Sequence, residues 1–139
     1  LIESSIAKLV DAIQNLHFGE SKYSLLHTDF NQRNLFVDAD SDQVSAIIDW
    51  GEEIYGDPAY DFARIRMLIW PFDLGSSALK MYYDVLGYDN KQIKIDTLYW
   101  VFRVIEYLEF YSEEENEFNL RRIKLHEEFL REFDWKCLA

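Results

Sequence analysis

The chain has 139 residues, 49% of them hydrophobic and 17% aromatic, enough for one domain with a substantial core and too apolar for a disordered polypeptide. A formal net charge of −12 argues against a nucleic-acid partner, whose phosphates require basic surfaces, and suits either ordinary solubility or a cationic substrate drawn to an acidic cleft. Cys137, the one cysteine, excludes an internal disulfide framework and a thiolate metal cluster and fits a reducing cytoplasm; charge interrupts every apolar stretch well short of the roughly 20 residues that span a bilayer, so no membrane association is expected.

Ile2, Ile6, Leu9, Val10, Ile13 and Leu16 recur at helical spacing and predict an amphipathic first helix ending near His17-Phe18-Gly19, where glycine permits a left-handed cap. The chain opens on Leu1 already in this pattern and shows no leader segment, so it reads as a piece of a longer polypeptide. Tyr23 to His27 is a short apolar run, expected to be extended and buried and to deliver the polar stretch Asp29 to Asn34 to a surface. Leu35 to Val37 and Val44 to Ile48 flank the acidic turn Asp38-Ala39-Asp40-Ser41-Asp42 and predict a hairpin. Antiparallel pairing there would bring Asn34, at the start of one strand, beside Asp49, at the end of the other.

Asp57-Pro58 is a helix start, with a side-chain acceptor at the N-cap and proline in the first turn, and Phe62, Ile65, Leu68 and Ile69 continue the apolar pattern until Pro71. Ser76 to Leu86, about Ile95 to Tyr111 and about Glu113 to Phe133 read as three further helices. Gly87 separates the first two, and Ser112 with Glu115 fits a capping box for the last. No repeat, linker or second-domain boundary is evident, so the expected fold is mainly α with a small β-hairpin. The helical aromatic residues, Tyr99, Trp100, Tyr107 and Phe110 among them, read as core rather than as a ligand box.

The most informative run is His27-Thr28-Asp29-Phe30-Asn31-Gln32-Arg33-Asn34, followed by Ile48-Asp49 and then by Gly56-Asp57-Pro58-Ala59-Tyr60-Asp61. It combines a carboxylate that can accept a proton, an amide oxygen and a second carboxylate, the parts that Mg-nucleotide phosphoryl transfer uses. The pattern resembles the aminoglycoside phosphotransferase family with its choline-kinase-like relatives, whose fold is related to that of protein kinases. The resemblance extends over nearly the whole chain but implies only the C-terminal lobe of a kinase-like enzyme.

That resemblance implies a role for each residue. Asp29 would be the catalytic base that orients the acceptor hydroxyl and takes its proton, while Asn34 and Asp49 would hold Mg²⁺ beside the phosphates of ATP or GTP. His27, Asp57 and Asp61 would brace the loop, although N-capping alone also accounts for Asp57. His27 shows no metal-ligand spacing with His17 or His126. Glu52 and Glu53, after the metal aspartate, and Glu106 and Glu109, on the long helix, are candidates to line an acceptor cleft for ammonium groups. A solvated helix face explains the latter pair equally well.

Asn31 stands where protein kinases carry a lysine, and no Ala-Pro-Glu segment follows, so the expected acceptor is a small cationic molecule, aminoglycoside-like antibiotics being favoured over proteins. Thr28 stands where many relatives have glycine, which bears on the loop's backbone conformation. No glycine-rich phosphate loop occurs in the sequence, so the nucleotide lobe is expected to be missing and the chain inactive alone, with self-association through the uncovered apolar surface around Leu1 to Leu9 and Leu35 to Val37. The competing expectation is a noncatalytic ligand- or partner-binding module derived from such a kinase.

Overall fold

In the computed structural model, which describes residues 1–16, 23–69 and 75–138, helix α1 (Ile2–Asn15) precedes a region of four short strands. β1 (Ser24–Leu26) pairs antiparallel with β4 (Ile54–Gly56), and β2 (Leu35–Val37) pairs antiparallel with β3 (Val44–Ile47). Helices α2 (Ala59–Ile69), α3 (Gly75–Leu86), α4 (Asn90–Ser112) and α5 (Glu117–Glu132) follow. The expected glycine cap after α1 lies outside the described residues.

The hairpin forms in the register Leu35↔Ile47, Phe36↔Ala46, Val37↔Val44. Its turn is tied by Asp38, whose Oδ1 accepts from Asp40 N, Ser41 N and Ser41 Oγ; these bonds favour the charged form and hold its carboxyl below the usual range. Two expectations change at β1. Tyr23 and Leu25 are exposed on the face that a two-stranded pair leaves open, Leu26 is buried on the other, and His27, just past the strand, is buried as well. The partner strand β4 was not anticipated. It also bears on Gly56, where a Cβ would sit 2.9 Å from Leu26 Cδ1, so a larger residue would have to displace the end of that buried side chain.

α4 is the central element. Leu98, Trp100, Val101, Val104, Ile105 and Leu108 are buried around it against Leu9 and Ala12 of α1, Ala63 and Met67 of α2, and Phe129 and Leu130 of α5. Apolar residues on several sides of a helix are what burial by several neighbours demands. It begins at Asn90, earlier than expected, because Asp89 and Gln92 form a reciprocal capping box. The box expected at Ser112 and Glu115 does not form: Ser112 Oγ donates to Glu109 O instead, and α5 is capped by Asn116, which accepts from Asn119 N. No described helix is long and apolar enough to cross a membrane.

A buried polar cluster joins α2, α3 and α4. Arg66 Nη1 lies 2.8 Å from Asp96 Oδ2 and donates to Tyr83 Oη and Thr97 Oγ1, and Tyr83 Oη donates to Asp96 Oδ2 at 2.5 Å. The guanidinium also covers the Trp100 ring at 3.9 Å. Asp96 is 1% exposed, and burial pushes its carboxyl pKa up despite these partners.

Candidate active site

The loop after β1 is held from several directions. His27 N donates to Asp61 Oδ2 at 2.7 Å and Thr28 N to Asp61 Oδ1 at 2.8 Å, so one carboxylate from the first turn of α2 takes two consecutive backbone donors. Asp57 Oδ1 accepts from Ala59 N, at the start of the helix that carries Asp61. The buried His27 ring places Nε2 2.7 Å from Ile48 O; a carbonyl only accepts, so Nε2 carries the proton in the neutral ring. The Trp50 ring packs on it, with centroids 4.8 Å apart. His27 therefore links the loop to the end of β3, one residue before Asp49.

Thr28 has φ 66°, in the left-handed region that disfavours β-branched residues. Every polar group of the residue is occupied: its N–H by Asp61, its carbonyl by Arg103 Nη2 at 3.0 Å, and its hydroxyl by Glu52 O at 3.0 Å. Local strain persists where the surroundings over-determine the conformation.

Asp29 and Asn34 are in contact, and Asp49 follows Ile48, the residue bonded to Asn34. Asp29 O accepts from Asn31 Nδ2 and from Asn34 Nδ2, each at 2.9 Å, and Asn34 Nδ2 lies 3.4 Å from Asp29 Oδ2. Both atoms facing the Asn34 amide nitrogen are acceptors, which fixes the amide orientation and turns its oxygen away from Asp29. Asn34 O accepts from Ile48 N at 3.0 Å, so the hairpin sets Asp49 immediately beyond the asparagine. Asp49 is itself left-handed, at φ 66°. Among the described residues no group of three or more His, Cys, Asp and Glu side chains is arranged for a metal. One amide oxygen and one carboxylate still suit Mg²⁺, which retains waters and takes phosphate oxygens.

A cleft of about 460 Å³ opens beside the loop, with Asp29 and Glu52 on one side and Tyr60, Arg103, Glu106 and Tyr107 on the other. Of the four candidate acceptor glutamates, Glu52 and Glu106 line it, whereas Glu53 and Glu109 are exposed and do not. Glu106 is engaged by Arg103 Nη1 at 2.5 Å. Phe110, expected in the core, is 59% exposed and forms part of the cleft wall.

Sequence reasoning missed Arg64 and Arg103. Arg64 Nη2 lies 3.3 Å from Asp29 Oδ1; Arg103 donates to Thr28 O and, at 2.7 Å, to Tyr60 Oη, and both guanidiniums lie against the Tyr107 ring, at 4.1 and 5.0 Å. The available signal was a cation embedded in an apolar helical pattern, Ala63-Arg64-Ile65 and Phe102-Arg103-Val104. Such residues are seldom buried without a partner.

The family model described as "Phosphotransferase enzyme family" matches residues 3–95. No curated protein and no solved structure matches the chain.

Proposed function

Because the chain belongs to the phosphotransferase enzyme family, a membership that implies a kinase-like fold, we propose that it is the C-terminal lobe of an enzyme that moves the γ-phosphoryl group of ATP or GTP to a hydroxyl of a small cationic molecule. The observation that supports this most is Asp29 lining an acidic, aromatic-walled cleft while its loop partner Asn34 is tied to Ile48, the residue before Asp49. Asp29, 45% exposed on its side chain, takes the proton of the acceptor hydroxyl as the new O–P bond forms and the bond to the nucleoside diphosphate breaks. Asn34 Oδ1 and the Asp49 carboxylate are the oxygens that would hold Mg²⁺, which when bound neutralises phosphate charge. His27, Asp61 and, through α2, Asp57 keep the loop in place.

Glu52 and the exposed Phe110 ring favour an acceptor carrying an ammonium group, aminoglycoside-like antibiotics first among them. In this reading a nucleotide lobe belongs to the same enzyme, working in the cytoplasm. The exposed Ile2, Ile6, Val10 and Ile13 of α1 and Phe36, Val37 and Val44 of the hairpin support it as apolar surface awaiting a cover, and without that cover the chain self-associates. A nucleotide-consumption screen of the two-lobed enzyme against aminoglycosides, macrolides, choline and amino sugars tests the proposal. Mg-dependent turnover with a cationic alcohol, absent from the 139-residue chain alone, is the expected result. Turnover by this chain alone at the rate of the two-lobed enzyme contradicts the division into lobes, and no turnover with any acceptor supports a binding module.

A further inference from the structure

The catalytic loop supplies little to fix the Asp29 carboxylate: its one contact from within, Asn34 Nδ2 to Oδ2, is long at 3.4 Å. The other oxygen, Oδ1, faces Arg64 Nη2 at 3.3 Å, a contact of similar length but between opposite charges. Arg64 lies three residues after Asp61 on α2, so one helical turn holds the loop twice, by the backbone of His27 and Thr28 and by the side chain of Asp29. Its guanidinium is set in place by the Tyr107 ring, 4.1 Å away, and is 11% exposed where Asp29 is 45% exposed.

Magnitudes separate a positioning role from a packing one. Removing a guanidinium from water costs several kcal/mol before any pairing. Arg64 Nε and Nη1 are buried with no hydrogen-bond partner among the described residues, so that cost is offset by little besides Asp29 and the stacking. A methionine lying on Tyr107 would serve the fold as well or better, and Asp29 left alone would be hydrated. Methionine would not fix Oδ1. We infer that Arg64 is a positioning residue for the phosphoryl transfer proposed above: it fixes Asp29 Oδ1, leaving Oδ2 as the oxygen that receives the acceptor's proton. This rests on Asp29 being the base.

The test uses Arg64→Met and Arg64→Lys in the two-lobed enzyme, with Asp29→Asn beside them. Arg64→Met is expected to lower kcat roughly 10- to 100-fold while KM for the nucleotide and the melting temperature hold, and Arg64→Lys to recover part of kcat. An unchanged kcat in Arg64→Met, or a loss that follows a lower melting temperature and that lysine does not restore, overturns the inference. A readout that needs no turnover is the Asp29 side-chain carboxyl ¹³C resonance of the 139-residue chain. It should move in Arg64→Met and return toward its original position in Arg64→Lys, and a resonance indifferent to Arg64 also overturns the inference. Turnover that survives Asp29→Asn marks a failed base assignment, a different result from any that Arg64 variants produce.

Discussion

Two arginine–aspartate pairs start two residues apart on α2 and end in different parts of the molecule. Positions i and i+2 of a helix do not share a face, so Arg64 reaches the loop after β1 and Arg66 the helical frame. Asp96, the frame partner, is 1% exposed on its side chain and shares Arg66 with Tyr83 and Thr97; Asp29, the loop partner, is 45% exposed and stands in a cleft. The first pair is embedded in what it stabilises, and the second borrows rigidity from the frame to orient a group that must stay accessible. The same division runs through the whole chain. Helices α1, α2, α4 and α5 contribute nearly all the core, whereas the strands expose Phe36, Val37, Val44 and Ile54 and carry the loop and the left-handed residues Thr28, Asp42 and Asp49.

The sharpest break of that comparison is in stability. Asp96→Ala leaves a buried guanidinium unpaired and should cost about 3–5 kcal/mol in urea unfolding, while Arg64→Met should stay within about 1 kcal/mol of wild type. Equal losses in the two variants would erase the distinction between frame and site.

A pH experiment sharpens the comparison from the frame side. His126 is buried on α5, with Nδ1 2.6 Å from Arg122 O, and burial pushes its pKa below the ordinary 6.5. The unfolded chain therefore binds the proton first. The contribution to stability is complete above pH 6.5 and is lost progressively as the pH falls from there toward the lowered folded-state value. His126→Gln should flatten the melting temperature across that window, and an unaltered slope would remove His126 from the account.

The smallest effect is expected at Thr28. Left-handed backbone costs a non-glycine residue about 1–2 kcal/mol, which glycine relieves while losing the hydroxyl bond to Glu52 O and adding unfolded-state entropy of about 0.5–1 kcal/mol. Thr28→Gly should therefore fall within about 1 kcal/mol of wild type, and Thr28→Val, which loses the bond and keeps the strain, should be less stable by about 1 kcal/mol. Thr28→Val more stable than Thr28→Gly would show that the hydroxyl and the strain are of no account.

The parts of this architecture that the sequence discloses are those set by local spacing. Asp29 and Asn34 share one loop, a two-strand register sets Ile48 against Asn34 with Asp49 next in the chain, and Asp57-Pro58 opens a helix; each follows from a few neighbouring residues. Long-range contacts were not legible. Arg103 donates to a carbonyl 75 positions away, β1 at Ser24–Leu26 pairs with β4 at Ile54–Gly56 across the whole intervening motif, and the cleft wall from α4 depends on how that helix packs. Capping at Asn116 prevailed over the box expected at Ser112 because the chain turns at Glu113 to Glu115 before α5 begins. The cleft-wall residues Arg103, Glu106, Tyr107 and Phe110 lie beyond residue 95, outside the stretch that matches the family model. The rest of the cleft lining, Thr28, Asp29, Glu52, Ile54 and Tyr60, lies inside that stretch, so the cleft joins family-matched and unmatched parts of the chain.

The proposed division of labour between Asp29 and the Asn34–Asp49 pair is tested most directly by measuring kcat and Mg-nucleotide affinity for Asp29→Ala and Asp49→Ala in the two-lobed enzyme. Asp29→Ala should lower kcat by roughly 10²- to 10⁴-fold with nucleotide affinity nearly unchanged, and Asp49→Ala should weaken Mg-nucleotide binding. Both variants impairing both steps equally would contradict the assignment of base and metal ligand made here.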